Sequence, residues 1–346
     1  MIRVLVVEDS STARELLVGI LATQPQDFTV IGEATNGAEG VEMTRRLRPD
    51  VVTMDIRMPL LDGLEATRQI MANTPTPVVV VSSIGNLDVE NSMEALRAGA
   101  LAVIEKPAGP ATAGFEDRCR TLLQTIKLMA RVKVVRHYGG RPVAHPAAPL
   151  LRGRDVPDGR VRAVAIATST GGPAALQTIF SQLPRDFPVP ILIVQHIATG
   201  FVSGLASWLS ASGKTRVKVA EANEPLAPGT AYLAPDDLQL GLTSHGRIVV
   251  APEPKIGGFR PSASFLFDSA AQALGRGALA VMLTGMGRDG VEGLRRLKAS
   301  GGRIVVQDEG SSVVFGMPGA AIEAGLADEV VALDDIAGRL MALVTG

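Results

Sequence analysis

The chain has 346 residues, of which 46% are hydrophobic and 20% charged, with a formal net charge of −1. That balance fits a soluble globular protein of about two domains and supplies no broad positive field for nucleic acid or an anionic membrane. A single cysteine, Cys119, excludes an intramolecular disulfide framework and any multi-cysteine metal site. The opening MIRVLVVEDS turns acidic too soon for a signal peptide, and no charge-free apolar run is long enough to span a bilayer. A reducing, cytoplasmic setting follows. Aromatic residues make up only 3%, so the core is built from Val, Leu, Ile and Ala, a composition suited to parallel sheets covered on both faces by helices.

In the first block, residues 1–130, apolar runs end in polar residues. Val4–Val7 precedes Glu8 and Asp9, Val51–Met54 precedes Asp55, Val78–Val81 precedes Ser82, and Ala102–Ile104 leads to Lys106. Phe28–Gly32 supplies a weaker strand, and helical patterns cover Ser11–Leu21, Gly37–Leu47 and Leu64–Met71. Strands alternating with helices predict a doubly wound, flavodoxin-like parallel sheet, whose ligand crevice lies at the carboxyl ends of the strands. Residues 131–160 break the pattern with scattered Arg, Pro and Gly and read as a linker.

The second block, residues 161–346, is again α/β. Strands are predicted at Ala163–Ala167, Ile191–Val194, Ala231–Ala234, Ile248–Ala251, Ala280–Leu283 and Ile304–Val306. Helices are predicted at Pro173–Leu183, Phe201–Leu209, Ser264–Leu274 and Gly290–Ser300. Thr243–Arg247 reads as a hairpin turn. The expectation is a second, mainly parallel doubly wound sheet with one antiparallel portion.

At the strand ends of the first block, Glu8, Asp9 and Asp55 bring carboxylates together, with the Ser82 hydroxyl and the Lys106 ammonium alongside. Carboxylates and phosphate oxygens suit Mg²⁺. A carboxylate can accept a phosphoryl group, with the metal and the lysine offsetting the developing charge. Singly, each of these residues is as well explained as a helix cap. The set, carried on VLVVEDS, VVTMDIRMPLLDGLEA, VVVVSS and EKP, resembles a bacterial response-regulator receiver over residues 1–125. The resemblance implies Asp55 as phosphorylation site, Glu8 and Asp9 as acids beside Mg²⁺, Ser82 as switch hydroxyl and Lys106 as phosphate partner. It also implies a sensor histidine kinase as phosphodonor.

In the second block, ATSTGGP sets Ser169 between a strand and a helix, where a hydroxyl can project from the sheet. The motif lacks the leading glycine of the G-x-S-x-G elbow, and taken alone it equally describes a phosphate cradle or a plain turn. Of the histidines, His137 and His145 fall in the linker and His245 in the hairpin turn; His196 ends a predicted parallel strand and suits a general base. Asp289, in LTGMGRDG, is the candidate orienting acid, with a helix N-cap as the competing explanation.

The pieces ATSTGGP, QHIATGF, APGTAYLAP, RPSASFLF, LTGMGRDG and FGMPGAA resemble the catalytic domain of chemotaxis protein-glutamate methylesterases over residues 160–344. The resemblance implies Ser169 as nucleophile, His196 as base and Asp289 as its orienter. Backbone N–H groups near Thr170 and Met286 would form the oxyanion hole, and Arg260 would be a substrate-side cation. It further implies hydrolysis of glutamate γ-methyl esters on methyl-accepting chemoreceptors, receptor glutamine deamidation, no metal for the esterase step, and relief of a receiver cover by Asp55 phosphorylation. Nothing in the chain demands more than a monomer or calls for membrane insertion. Two departures stand out. Ala263-Ser264 replaces the family's Val-Asp after Arg-Pro-Ser, and Asp236-Asp237-Leu238-Gln239 replaces Gly-Asp-x-His. They keep a different ester or amide substrate in play. A binding-only output lacks a reason for the Ser, His and Asp set, and a DNA-binding output lacks a basic module.

Overall fold

The computed structural model describes residues 1–82, 86–112, 114–132, 134 and 160–346. The expected linker, with His137 and His145, lies almost entirely outside the described residues. Contacts divide the chain into two units, Met1–Pro142 and Val143–Gly346.

The first unit runs β1 (Ile2–Val7), α1 (Ser11–Ala22), β2 (Phe28–Ala34), α2 (Gly37–Leu47), β3 (Val51–Met54), α3 (Gly63–Asn73), β4 (Val78–Ser82), α4 (Asn86–Arg97), β5 (Ala102–Glu105) and α5 (Phe115–Met129). Its sheet is parallel with order β2-β1-β3-β4-β5. Val4, Leu5, Val51, Val52 and Val78–Val80 are all fully buried, as a sheet covered on both faces requires. Ser10, Asn36 and Asp62 start α1, α2 and α3 by accepting backbone N–H groups. The chain reverses its direction of travel across the sheet between β1 and β3, the switch point at which such sheets open a crevice.

The second unit continues with β6 (Ala163–Thr168), α6 (Gly172–Gln182), β7 (Ile191–Gln195), α7 (Val202–Ser212), β8 (Arg216–Val219), β9 (Thr230–Leu233), β10 (Gln239–Leu242) and β11 (Ile248–Ala251). It then runs α8 (Ala263–Leu274), β12 (Ala278–Met282), α9 (Val291–Ala299), β13 (Arg303–Gln307), α10 (Met317–Glu323), β14 (Glu329–Val331) and α11 (Leu333–Thr345). Seven strands form a parallel sheet in the order β14-β13-β12-β6-β7-β9-β8. The antiparallel portion is a separate ribbon, β10 with β11, closed by the expected turn, so the main sheet contains no antiparallel strand. Its switch point lies between β6 and β12.

One face of β6 shows Ala163, Ala165 and Ala167 to a core that includes Leu266, Phe267 and Ala270 of α8 and Leu294 of α9. Small side chains on the strand let α8 come close to the sheet. The α8–α9 contact is closer still. A Cβ on Gly293 would meet Ser264 O at 2.4 Å and Phe267 Cβ at 2.9 Å. Both helices border the segment 283–290, so this contact helps set where that loop ends. Gly293→Ala should therefore destabilise the second unit by roughly 1–3 kcal/mol through overpacking. Calorimetry should show the loss as a lowered melting temperature for that unit; an unchanged transition would mean that α9 shifts freely.

Candidate active site and acidic pocket

In the first unit, Glu8 is 1% and Asp55 9% exposed, and both carboxylates meet one ammonium. Lys106 Nζ lies 2.8 Å from Glu8 Oε2 and 3.1 Å from Asp55 Oδ1. Burial raises the carboxyl pKa of Glu8 and of Asp55, against the opposing pull of Lys106. Burial depresses the Lys106 ammonium, but its pairing with Glu8 and Asp55 outweighs this and the net shift is upward. Ser82 is buried at the end of β4, and Lys106 N donates to its carbonyl at 2.8 Å. Glu8, Asp9 and Asp55 each bring a carboxylate oxygen within 4.8 Å of the others. A recess of about 210 Å³ is lined by these acids together with Ser82 and Lys106. The all-oxygen donor set of clustered carboxylates fits a hard divalent cation.

In the second unit, the parallel register pairs Thr168 with Gln195, so Ser169 and His196 are the next residues on adjacent strands. His196 N donates to Thr168 O at 3.0 Å. The Gln195 side chain joins the two: its Nε2 donates to Ser169 O at 2.8 Å and to His196 O at 2.9 Å. On the other side of β6, Ser169 N donates to Thr284 O at 3.0 Å, and Thr284 Oγ1 donates to Thr170 O at 2.9 Å. Gly285 lies so close that a Cβ there would stand 2.8 Å from Ser169 Cβ. This lacing ties Thr170, after β6, to the loop after β12 that carries Met286. Among the described residues, no hydrogen bond occupies the N–H of either one.

Asp289 completes the set. Its Oδ2 lies 3.0 Å from His196 Nε2, an ion-pair approach that does not have the alignment of a hydrogen bond; both ring nitrogens are buried, and Nδ1 has no hydrogen-bond partner among the described residues. Asp289 does not cap α9, whose N-cap is Gly290 without a side-chain bond. It sits at the N-terminus of α8 instead. Ser262 Oγ donates to Oδ1 at 2.8 Å, Ala263 N to Oδ2 at 2.7 Å and Ser264 N to Oδ1 at 3.2 Å. Gly290 N adds a bond of 2.8 Å to Oδ1. Burial of this carboxyl raises its pKa, but His196, the Ala263 N–H and Ser262 prevail, and the net shift is downward. The positive end of the α8 dipole acts in the same direction.

These contacts reassign the residues where the sequence departs from the family pattern. Gln239 is fully buried; its Oε1 accepts Ser262 N at 2.8 Å and its Nε2 donates to Pro254 O at 3.0 Å. Ser264 Oγ accepts Gly290 N at 2.9 Å. Both residues therefore brace the Asp289 loop from behind and present no surface to a substrate. Arg260, the expected substrate-side cation, is paired within the chain. It makes a bidentate pair with Asp237, 2.9 and 2.6 Å, and reaches Pro252 O and Glu253 O, each at 3.3 Å. Its donors are turned to the loop it fastens. Sequence reasoning missed Gln195, Gln239 and Ser262; the available signal was polar residues inside or directly beside apolar strand and helix runs.

The C-terminal part matches the model of the CheB methylesterase family over residues 164–340. Residues 4–113 match the response regulator receiver domain. A Myxococcus xanthus protein named protein-glutamate methylesterase/protein-glutamine glutaminase 4 is 55% identical over all of this chain and 98% of its own length. This chain belongs to the CheB methylesterase family. An Anaeromyxobacter dehalogenans member, named protein-glutamate methylesterase/protein-glutamine glutaminase 3, is 52% identical over 98% of each chain. The solved catalytic domain of Thermotoga maritima CheB methylesterase is 40% identical, with a TM-score of 0.52; the match covers 54% of this chain and 100% of that one. Among the described residues no helix is long and apolar enough to cross a membrane.

The downward shift at Asp289 has a consequence for stability. A depressed native pKa means that the carboxylate stabilises the fold at pH values above the unfolded value of about 3.9, and that this stabilisation disappears as pH falls through the lower native value. In urea titrations, the stability advantage of the wild type over Asp289→Asn should accordingly be largest near neutrality and shrink below about pH 4. A gap that is constant with pH would contradict an ionised, well-partnered Asp289.

Proposed function

We propose that this protein hydrolyses glutamate γ-methyl esters on methyl-accepting chemoreceptors, releasing methanol, and that phosphorylation of Asp55 switches the activity on. Deamidation of receptor glutamines runs through the same site. The observation that carries the reading is Ser169 and His196 placed directly after the paired ends, Thr168 and Gln195, of two adjacent parallel strands, with the imidazole 3.0 Å from a buried, ionised Asp289. The names of its full-length relatives supply the substrate class.

Asp289 engages Nε2, so Nδ1 is the nitrogen left to serve as base. His196 Nδ1 takes the Ser169 proton as Oγ bonds to the ester carbonyl carbon. The oxyanion meets the N–H groups of Thr170 and Met286. Collapse breaks the bond to methoxide, which leaves as methanol with the proton from His196. Water, activated by the same nitrogen, then releases glutamate and restores Ser169. The serine proton leaves with methanol, and a proton of the water replaces it, both passing through His196.

In the receiver, Glu8, Asp9 and Asp55 would hold Mg²⁺, which when bound offsets charge on the transferring phosphoryl group. Asp55 accepts the phosphoryl group from a sensor histidine kinase. Lys106 binds a phosphate oxygen and the Ser82 hydroxyl turns to another. The added charge of about −1.5 to −2 re-weights two states of the protein. We read the chain as a cytoplasmic monomer that neither enters the membrane nor binds nucleic acid.

Methanol release from methylated chemoreceptor membranes tests the chemistry. Ser169→Ala should retain less than about a thousandth of wild-type turnover, because the members of a triad act as a unit; near-normal turnover would sink the assignment. The control step is tested separately. With a small-molecule phosphodonor and Mg²⁺, wild-type release should rise severalfold, and Asp55→Asn should stay at the basal rate whether or not the donor is present. A donor response that survives in Asp55→Asn would move the phosphorylation site elsewhere.

A further inference from the structure

One edge of the His196 ring lies against Asp289, with Nε2 at 3.0 Å from Oδ2, and the other edge carries Nδ1, the nitrogen assigned above as the base. One of its faces is also engaged. The Phe259 ring lies flat on the imidazole, with centroids 4.4 Å apart and planes inclined by 9°. Phe259 closes a loop whose preceding residues, 252–258, are all exposed. This loop buries little of its own, yet it is fastened firmly at its base. Ile256 and Phe259 exchange two backbone hydrogen bonds of 3.0 Å each across Gly257 and Gly258, both in the left-handed region. The next residue, Arg260, is clamped to Asp237 and to the carbonyls of Pro252 and Glu253. Gln239 holds Pro254 O from below. The fastenings of an exposed loop thus converge on delivering one aromatic face to one imidazole.

We propose that Phe259 is a positioning residue for His196 that also stabilises the imidazolium formed during turnover. A carboxylate against one ring nitrogen leaves a histidine free to tilt; a ring stacked on the face removes that freedom. A second effect separates the ground state from the transition state. The face of a benzene ring is electron-rich and attracts a cation held over it. The imidazole is neutral before Ser169 is deprotonated and carries the proton as the tetrahedral species forms. The attraction is therefore gained mainly on the way to the transition state, where added interaction accelerates the chemistry. Both half-reactions pass through the same imidazolium, so acylation and deacylation both benefit. A cation over an aromatic face is worth about 0.5–2 kcal/mol, and the expected effect on turnover is between roughly twofold and thirtyfold.

This inference rests on His196 being the base of an esterase. The full-length protein, activated with acetyl phosphate and Mg²⁺, is assayed on p-nitrophenyl acetate, a probe too small to contact a receptor-binding surface. Position 259 carries Phe, its mono-, di- and trifluorinated analogues introduced by codon suppression, or Leu. Fluorination drains the ring face of electron density while nearly preserving shape. The expected result is a stepwise fall in log kcat with each fluorine, little change in KM, an unaltered melting temperature, and a Phe259→Leu variant at least as slow as the trifluorinated one. Phe259→Tyr, which keeps an electron-rich face, should stay within about twofold of the wild type. If kcat is flat across the fluorinated series, the proposal is overturned, even where Phe259→Leu is slow, because packing alone then accounts for the ring. The Ser169→Ala control separates the two failures: ester turnover that survives it would refute the underlying esterase reading instead.

Discussion

The second unit is organised around a carboxylate that has been taken out of water. Asp289 is 8% exposed, and an ionised carboxyl in that position is costly unless every lone pair finds a donor. Its partners come from three places in the chain: the first turn of α8, the N–H of Gly290 immediately after it, and the imidazole at the end of β7. Satisfying that one group obliges α8 to point its N-terminus at the carboxyl end of the sheet. It also requires α9 to pack against α8 at Gly293, and Gln239 to hold the backbone of Ser262 in place. The geometry of the histidine is a by-product of solving a solvation problem.

The two units meet a common topological condition in different chemical terms. Each sheet has one switch point, and each keeps an oxygen-bearing side chain there. In the first unit the group is Asp55 at the end of β3, facing Glu8 across from β1; in the second it is Ser169 at the end of β6, facing the loop after β12. The acidic pocket concentrates negative charge around a single ammonium, which favours a cation and a phosphoryl group. The serine site contains one carboxylate, and the backbone N–H groups of Thr170 and Met286 in its loops make no hydrogen bond among the described residues. The same open edge of an α/β sheet serves both because the chemistry is decided by what each loop carries.

The parallel strands were legible because buried runs such as VVVV in β4 and ILIV in β7 cannot be anything else at that length, and the polar residue closing each one marked the crevice. Ser169, His196, Asp55 and Lys106 stand at or just after such strand ends, while Asp289 lies further on, in the glycine-rich loop after β12. Other features were not legible. β8, with the sequence RVKV, is an edge strand whose alternation is half polar, and β14 is only three residues long. The partners of Asp289 lie 25 to 27 positions away on another helix, and no local pattern signals a carboxylate at a distant helix terminus. The charge of Arg260 was legible, but its pairing with Asp237 was not, because a sequence shows charge without showing what the charge touches. Gln239 looked like a surface departure, although it is wholly buried.

The side-chain amide of Gln195 has one further implication. With both of its N–H groups spent on the carbonyls of Ser169 and His196, it welds two strand ends into a single mechanical part. Thermal motion of either end then carries the other along, and the distance between nucleophile and base is insulated from the breathing of the surrounding loops. Such a coupling leaves no graded intermediate between an assembled and a dismantled pair. A control element acting on this enzyme therefore gains more by governing entry to the serine than by bending the machinery itself.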